Sequence, residues 1–223
     1  MKVGTDGVLL GSWVDPENST SLLDIGTGTG LIALMMAQKC SAVIDAVEIH
    51  ADAYEQAQQN ALMSDWADRI RVFHQSFQKF AQRSKSKYDL IISNPPYFNC
   101  PAPKQELSRE VARHLNAALS MDELLIGINY VLSENGSFNL ILPVLEGQVF
   151  LEKAMTYNLY CDRRCSIHTT STKEAKRWMM RFVKQECIIQ EEQLVIQYAD
   201  RSFTPEYVAL TSEYYLGLNK FRN

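Results

Sequence analysis

Three glycines at alternate positions, Gly26, Gly28 and Gly30, separate a short apolar run, Ser21 to Ile25, from an apolar helical stretch, Leu31 to Gln38. A strand that turns into a helix within so few residues needs backbone conformations that side chains disfavour, and glycine supplies them. The unit is strand, tight turn, helix. Ala42 to Val47 reads as a second buried strand, Asp52 to Met63 as a second helix and Ile70 to Phe73 as a third strand. Tyr88 to Ile92 follows as a strand, Met121 to Leu132 as a helix and Ser137 to Leu142 as a strand between Gly136 and Pro143. Alternation of this kind with short connections predicts right-handed crossovers and a mostly parallel sheet covered by helices on both faces. After a helix over Glu146 to Tyr157, the segments Tyr160 to Thr169, Trp178 to Ile189 and Leu194 to Tyr198 are strand-like with no helix between them, so an antiparallel edge is expected. Pro205 to Leu216 closes as a helix, with Thr204 as its N-cap and Pro205 in its first position.

With 223 residues, 46% of them hydrophobic, the chain suits one domain over 1–223 with a full core. The longest apolar stretch, Leu31 to Ala37, is far short of the roughly 20 residues of a membrane span, and no secretory leader begins at Met1. Five scattered cysteines without a CxxC pair predict free thiols, a reducing cytoplasm and no metal site. His50, His74 and His168 have no partners at metal-ligand spacing. The net charge of −4 opposes indiscriminate binding of nucleic acid but hides an asymmetry. Residues 1–60 hold 2 basic and 8 acidic side chains and residues 160–187 hold 7 basic and 3 acidic; charge alone favours an ordinary solvated strand pair or loop in the second region, and a polyanion, if one binds, would lie against it.

Read from Gly26, the dinucleotide pattern GxGxxG fails at Leu31; from Gly28 it reaches Ala33, an allowed substitute. The phosphate-cradling GxxxxGK[ST] loop is absent. Asp24-Ile-Gly-Thr-Gly-Thr-Gly30 more fully resembles the S-adenosylmethionine loop of class I methyltransferases, although a glycine turn of a plain α/β sheet has the same local form. Glu48, at the tip of the second strand, stands where a carboxylate can accept both hydroxyls of a ribose diol, or simply face solvent. After the third strand come Ser76 and Phe77. Many enzymes of the resembled class carry an Asp in place of Ser76 to hold the adenine amine. Ser76 offers a weaker neutral hydrogen bond and Phe77 an aromatic face.

Asn94-Pro95-Pro96-Tyr97 follows the fourth strand directly. An adenine amine or a carboxamide nitrogen delocalises its lone pair and is a poor nucleophile. The Asn94 side-chain oxygen and the Pro95 carbonyl can accept its two N–H bonds and favour a pyramidal nitrogen. Consecutive prolines stiffen the turn, and Tyr97 offers a face for an extruded base, worth about 1–3 kcal/mol of stacking. A rigid proline turn with no chemistry is the competing explanation of the tetrapeptide alone.

Together these residues resemble the amino-directed methyltransferases with an NPPY signature. Lys2 to Trp13, the Asp24 to Gly30 loop, Asp45 to Glu48, Asn60, Ile91 to Tyr97, Arg109 to His114 and the stretch from Leu194 to Tyr215 are similar to the bacterial tRNA (adenine-N6) methyltransferases that modify the adenosine next to the anticodon of valine tRNA. The resemblance covers nearly the whole chain. It implies a Rossmann-like α/β fold, a mainly parallel seven-stranded sheet with an antiparallel C-terminal edge, S-adenosylmethionine as cofactor and tRNA as partner. It also implies that Lys2 to Trp13 forms a turn lining the cofactor site, with Thr5 and Asp6 near the methionine end. Family members begin further upstream, with an aromatic and basic segment that would form a lid over the cofactor. Lys104, Arg109, Arg113 and His114, beyond the proline turn, are candidates for RNA phosphates, although the spacing of Arg109 and Arg113 also fits a solvated helix face. The expected enzyme is a cytoplasmic monomer needing no metal or membrane, with Asn94, Pro95, Pro96 and Tyr97 at the reacting amine and Thr5, Asp6, Asp24, Gly26, Gly28, Gly30, Glu48, Ser76 and Phe77 at the cofactor. Protein-glutamine methylation, DNA or ribosomal RNA adenine methylation, and SAM binding without turnover are the rival functions.

Overall fold

The computed structural model describes residues 4–16, 18–95 and 119–215. In chain order the elements are α1 (Thr5–Trp13), β1 (Ser21–Ile25), α2 (Leu31–Lys39), β2 (Val43–Glu48), α3 (Ala51–Leu62), β3 (Ile70–His74), α4 (Phe77–Arg83) and β4 (Tyr88–Ser93). Then come α5 (Met121–Val131), β5 (Leu132–Pro143), α6 (Val144–Met155), β6 (Tyr160–His168), β7 (Ala175–Val183), β8 (Gln190–Val195) and α7 (Pro205–Thr211). The strands form one sheet in the order β3-β2-β1-β4-β5-β7-β6-β8. It has eight strands among the described residues, not seven. Only β7 runs against the others: it is antiparallel to both β5 and β6, whereas β8 pairs parallel with β6.

Strand periodicity divides the core into two layers. Leu22, Ile44, Leu90, Ile92 and Ile141 pack with α1 and α2 on one face, and Leu23, Ile25, Val47, Ile91, Phe138 and Leu140 pack with α4, α5 and α6 on the other. Cys161 and Cys165 would share a face in a regular strand, but a register shift between Cys161 and Arg163 sends them to opposite layers. α5 starts at a capping box, in which Ser120 and Glu123 each accept from the other's backbone N–H. Thr204 caps α7 as expected, its hydroxyl accepting from the Tyr207 N–H at 3.2 Å.

Three elements depart from the sequence-based expectation. The resemblance implies a turn over Lys2 to Trp13, but Thr5–Trp13 is the helix α1, because Gly7 and Gly11 permit close packing that outweighs the roughly 1 kcal/mol each glycine costs a helix. A Cβ at Gly11 would meet the Met35 sulfur at 2.6 Å. The short helix α4 was not anticipated; Ser76 starts it as N-cap. β8 begins at Gln190, earlier than the apolar run, because Glu191 and Glu192 join it to Arg164 and Arg163 of β6 through ion pairs. All four described cysteines, Cys40, Cys161, Cys165 and Cys187, are free thiols.

Candidate active site

β1 and β4 are neighbours, and the next described helices after them, α2 and α5, pack on opposite faces of the sheet, which makes the gap beyond their C-terminal ends the natural ligand crevice of such a fold. The glycine turn and the asparagine-proline turn border that gap together. Ile25 stands opposite Ser93 in the ladder, and the Ser93 hydroxyl donates to the Ile25 carbonyl at 2.9 Å. Gly26 and Asn94 are the next residues on each strand.

Gly26, Gly28 and Gly30 have φ values of 70°, 60° and 83°, the left-handed conformation that costs other residues about 1–2 kcal/mol apiece. Gly26 and Thr27 donate their N–H groups to the Val47 carbonyl, at 2.9 and 3.1 Å, which ties the turn to β2. A Cβ on Gly26 would meet nothing within 4 Å, so the turn leaves open space at that residue. Glu48 is 5% exposed and organises the far side. One carboxylate oxygen accepts the Gly28 N–H at 2.9 Å, and the other accepts the Ile49 and His50 N–H groups at 2.9 and 2.8 Å.

Asp24 lies beneath the turn and is 1% exposed. Its Oδ2 accepts from the Thr27 hydroxyl at 2.5 Å and from the Ala33 N–H at 3.2 Å, whereas Oδ1 is buried without a partner. Burial pushes its carboxyl up to about 7; the two hydrogen bonds oppose that rise and the nearby Glu48 charge adds to it. A buried acceptor without a donor fits a cationic ligand group such as the α-ammonium of S-adenosylmethionine, and Glu48 fits its ribose diol.

The first turn of α1 forms a further wall. A Cβ on Gly7 would lie 3.5 Å from Leu31 Cδ2 and 3.7 Å from Asn94 Nδ2, so α1 touches the start of α2 and the catalytic candidate at once. Asp6, one residue earlier, accepts from Arg177 Nε of β7 at 3.0 Å. Arg177 is 171 positions away, and no local signal marked it for this role. At the helix's other end Lys39 Nζ donates to the Gly11, Ser12 and Val14 carbonyls at 2.7–2.8 Å.

Asp6, Asp24, Gly26, Gly28, Glu48, Asn94 and Pro95 therefore lie at or just beneath one rim, Thr5 opens α1 one residue before Asp6, and Gly30 starts α2 against Ala57. Ser76 is drawn into capping α4, its hydroxyl accepting the Lys79 N–H at 3.4 Å. Phe77 packs in the second core layer against Gly127 and is 4% exposed. Pro96, Tyr97, Lys104, Arg109, Arg113 and His114 lie outside the described residues. The basic stretch over Arg163 to Lys184, a candidate polyanion contact or a plain solvated strand pair by sequence, is partly ion-paired. Arg163, Arg164, Arg177, Arg181 and Lys184 each pair with an acid (Glu192, Glu191, Asp6, Asp162 and Glu134), so most of its cations have an intramolecular partner.

No group of three or more potential metal ligands occurs among the described residues, and no described helix is long and apolar enough to cross a membrane. The family model described as the methyltransferase small domain matches residues 3–141. The tRNA1(Val) (adenine(37)-N6)-methyltransferase of Bacteroides fragilis strain YCH46 is 44% identical over 219 residues, covering 97% of this chain and 91% of that protein. Its namesake from Pasteurella multocida is 39% identical over 222 residues, covering 97% and 90%. Among solved structures, a predicted O-methyltransferase from Agrobacterium tumefaciens superposes with a TM-score of 0.69 at 17% identity, covering 93% of this chain and 96% of that one, a likeness of fold alone. With its glycine turn and its asparagine-proline turn side by side on that fold, the chain belongs to the methyltransferase small domain family and, within it, to the family of the tRNA1(Val) (adenine(37)-N6)-methyltransferases.

Proposed function

We propose that this protein methylates the exocyclic N6 of the adenosine next to the anticodon of valine tRNA, with S-adenosylmethionine as donor. The observation that carries the proposal is the ladder contact between Ile25 and Ser93, which sets the Asn94-Pro95 turn beside the glycine turn. The names of the relatives supply the substrate.

S-adenosylmethionine, when bound, supplies an electrophilic methyl group on a sulfonium. Asp24 Oδ1 would receive its ammonium, Glu48 its ribose hydroxyls, and the open backbone at Gly26 would let it approach the main chain. Asn94 Oδ1 and the Pro95 carbonyl accept the two N–H bonds of the adenine amine, which turns its lone pair out of the ring plane. Pro95 is buried and fixed in φ, so its carbonyl needs little reorganisation when substrate arrives. The amine becomes acidic only as the new N–C bond forms, so release of its proton to water suffices and no strong base is needed. Tyr97 would stack the extruded base. The natural setting is the cytoplasm, where tRNA is modified, and the working unit a monomer.

Nucleoside mass spectrometry of unmodified tRNA incubated with enzyme and S-adenosylmethionine tests the proposal. N6-methyladenosine should form, and Asn94→Ala should lower kcat by about 100–1,000-fold, as loss of one preorganised polar group typically does, with S-adenosylhomocysteine affinity kept within about twofold. Methyl transfer to peptide or DNA pools in preference to tRNA, or binding without any transfer, would overturn it.

A further inference from the structure

Removing the ion-paired side chains from the basic C-terminal region leaves a pattern that its sequence hid. Lys173 and Lys176 are exposed and stand in the turn of the β6–β7 hairpin and at the turn-side start of β7. Arg201 is exposed in the turn between β8 and α7. The two segments are joined, because the Ile196 and Gln197 N–H groups donate to the His168 and Thr169 carbonyls at 2.9 and 3.0 Å. Two aromatic side chains are exposed beside these cations: Tyr198 at 52% and Phe203 at 40%. Phe203 is braced by stacking on Tyr207, with centroids 5.0 Å apart. Arg201 has φ 72°, a strained conformation for a residue with a Cβ, within a turn closed by the Arg201 N–H donating to the Tyr198 carbonyl at 3.1 Å and by Asp200 accepting from Ser202. The hairpin is likewise preset, with His168 Nδ1 2.8 Å from the Lys173 carbonyl oxygen.

Strand direction places this assembly on the site's rim. β6 and β8 run parallel to β1–β5, so the segments after them emerge where the glycine and asparagine turns emerge. Arg177, near the turn end of β7, opposes Pro143 in β5 and reaches Asp6, which adjoins the glycine that touches Asn94. With strands about 4.8 Å apart, the tip and the turn lie on the order of 10–20 Å from Asn94 along the sheet.

We infer that the β6–β7 hairpin tip and the Tyr198–Phe203 turn form a ledge for the single-stranded RNA flanking the target adenosine. Lys173, Lys176 and Arg201 take phosphates, and Tyr198 and Phe203 stack unpaired bases. Glu174 and Asp200 lie among the cations, and they keep the ledge from acting as a general polyanion trap. Exposed aromatic faces recognise unpaired bases and find none in a duplex stem, which favours a loop as the occupant. The inference rests on the tRNA function proposed above and names the surface that holds that substrate.

Fluorescence anisotropy with the purified chain, a labelled anticodon stem-loop and a blunt duplex of the same stem tests it. Replacing Lys173, Lys176 and Arg201 together by Gln should weaken stem-loop binding by at least about tenfold and make the log-log salt dependence shallower by about 2. Tyr198→Ala should weaken stem-loop binding roughly tenfold while leaving the duplex unaffected, and Tyr198→Phe should retain it. S-adenosylhomocysteine affinity, unchanged in every variant, reports that the fold is intact. Unaltered stem-loop affinity and salt slope in the triple variant, or equal losses on stem-loop and duplex with Tyr198→Ala, overturn the ledge. The assay needs no methyl transfer. A stem-loop bound through these residues but never methylated would refute the proposed reaction and leave the ledge standing; methylation that ignores all the substitutions would do the reverse.

Discussion

Asp24 carries a conflict that its neighbours only partly settle. Burial favours the neutral acid, the Thr27 hydroxyl and the Ala33 N–H favour the carboxylate, and the balance falls at about 7. A raised carboxyl pKa means that the group's contribution to folding is fully present below the ordinary value of 3.8 and is lost as pH climbs through about 7. Thermal melts of the ligand-free protein should therefore show Asp24→Asn gaining stability over the parent between pH 5 and pH 8, by a few kcal/mol; identical pH profiles would exclude the buried acid as their source. Ligand binding should follow the opposite course. A ligand ammonium pairs with the carboxylate, so S-adenosylhomocysteine affinity should rise through pH 7 with proton uptake by the buffer, and calorimetry in buffers of different ionisation enthalpy should find that release absent from the Asn variant. Glu48→Gln would keep the size of the side chain but remove the charge that holds three backbone N–H groups, and should cost roughly 10–100-fold in the same affinity.

The element that most depends on distant residues is α1. Its C-terminal carbonyls are collected by Lys39, its first turn is tied by Arg177, and Trp13 Nε1 donates to Glu192 at 2.9 Å while Arg163 lies 4.3 Å above the ring. Lys39→Met leaves three carbonyls without their donor and should destabilise the fold by about 2–3 kcal/mol in urea denaturation. Arg177→Ala should act differently. The Asp6–Arg177 pair is about a quarter exposed on each side and contributes little stability, yet it holds the turn that contacts Asn94. KM for S-adenosylmethionine should rise several-fold with unfolding free energy nearly unchanged, and Arg177→Gln should have no further effect once Asp6 is Asn. Additive losses in that double-mutant cycle would show that Arg177 does not act through Asp6. These contacts explain why Gly4 to Trp13 misled expectation. Three glycines read as a loop when only neighbours along the chain are considered, and α2 supplies the surface that makes a helix of them.

At the scale of the molecule, one reversed strand sets the geometry. Because β7 alone is antiparallel, the C-terminal ends of all the other strands share a rim, and the glycine turn, the asparagine turn, the hairpin tip and the post-β8 turn all open there. A ligand bound across that rim links elements far apart in the chain and should stabilise the whole sheet. At about 100 times its Kd, S-adenosylhomocysteine would add roughly 2.7 kcal/mol, or about 5–10 °C in thermal midpoint for a chain of this size. Gly28→Ala, which forces a side chain into φ 60°, should lower the unliganded midpoint and remove the ligand's increment together. A midpoint that ignores the ligand in the parent protein would place the cofactor elsewhere.

Much of the catalytic side was legible from residues alone. Alternating glycines after an apolar strand, an acid at the next strand's tip and a stiff asparagine-proline turn are local signals, since each follows from what a few consecutive residues permit the backbone to do. Their meeting at one gap follows almost as directly, because right-handed parallel crossovers leave few strand orders open. Ionic accounting was beyond reach. Whether a basic side chain is spent within the fold or left for a partner depends on which acid stands opposite it, and Asp6 with Arg177, or Arg163 with Glu192, come together only once the sheet has closed. The sequence by itself determined the α/β sheet and the glycine and asparagine-proline turns that meet at its crevice, because both are written in short-range backbone constraints. The tertiary structure alone decided which charges remain for RNA, because pairing is a property of distance in space and not along the chain.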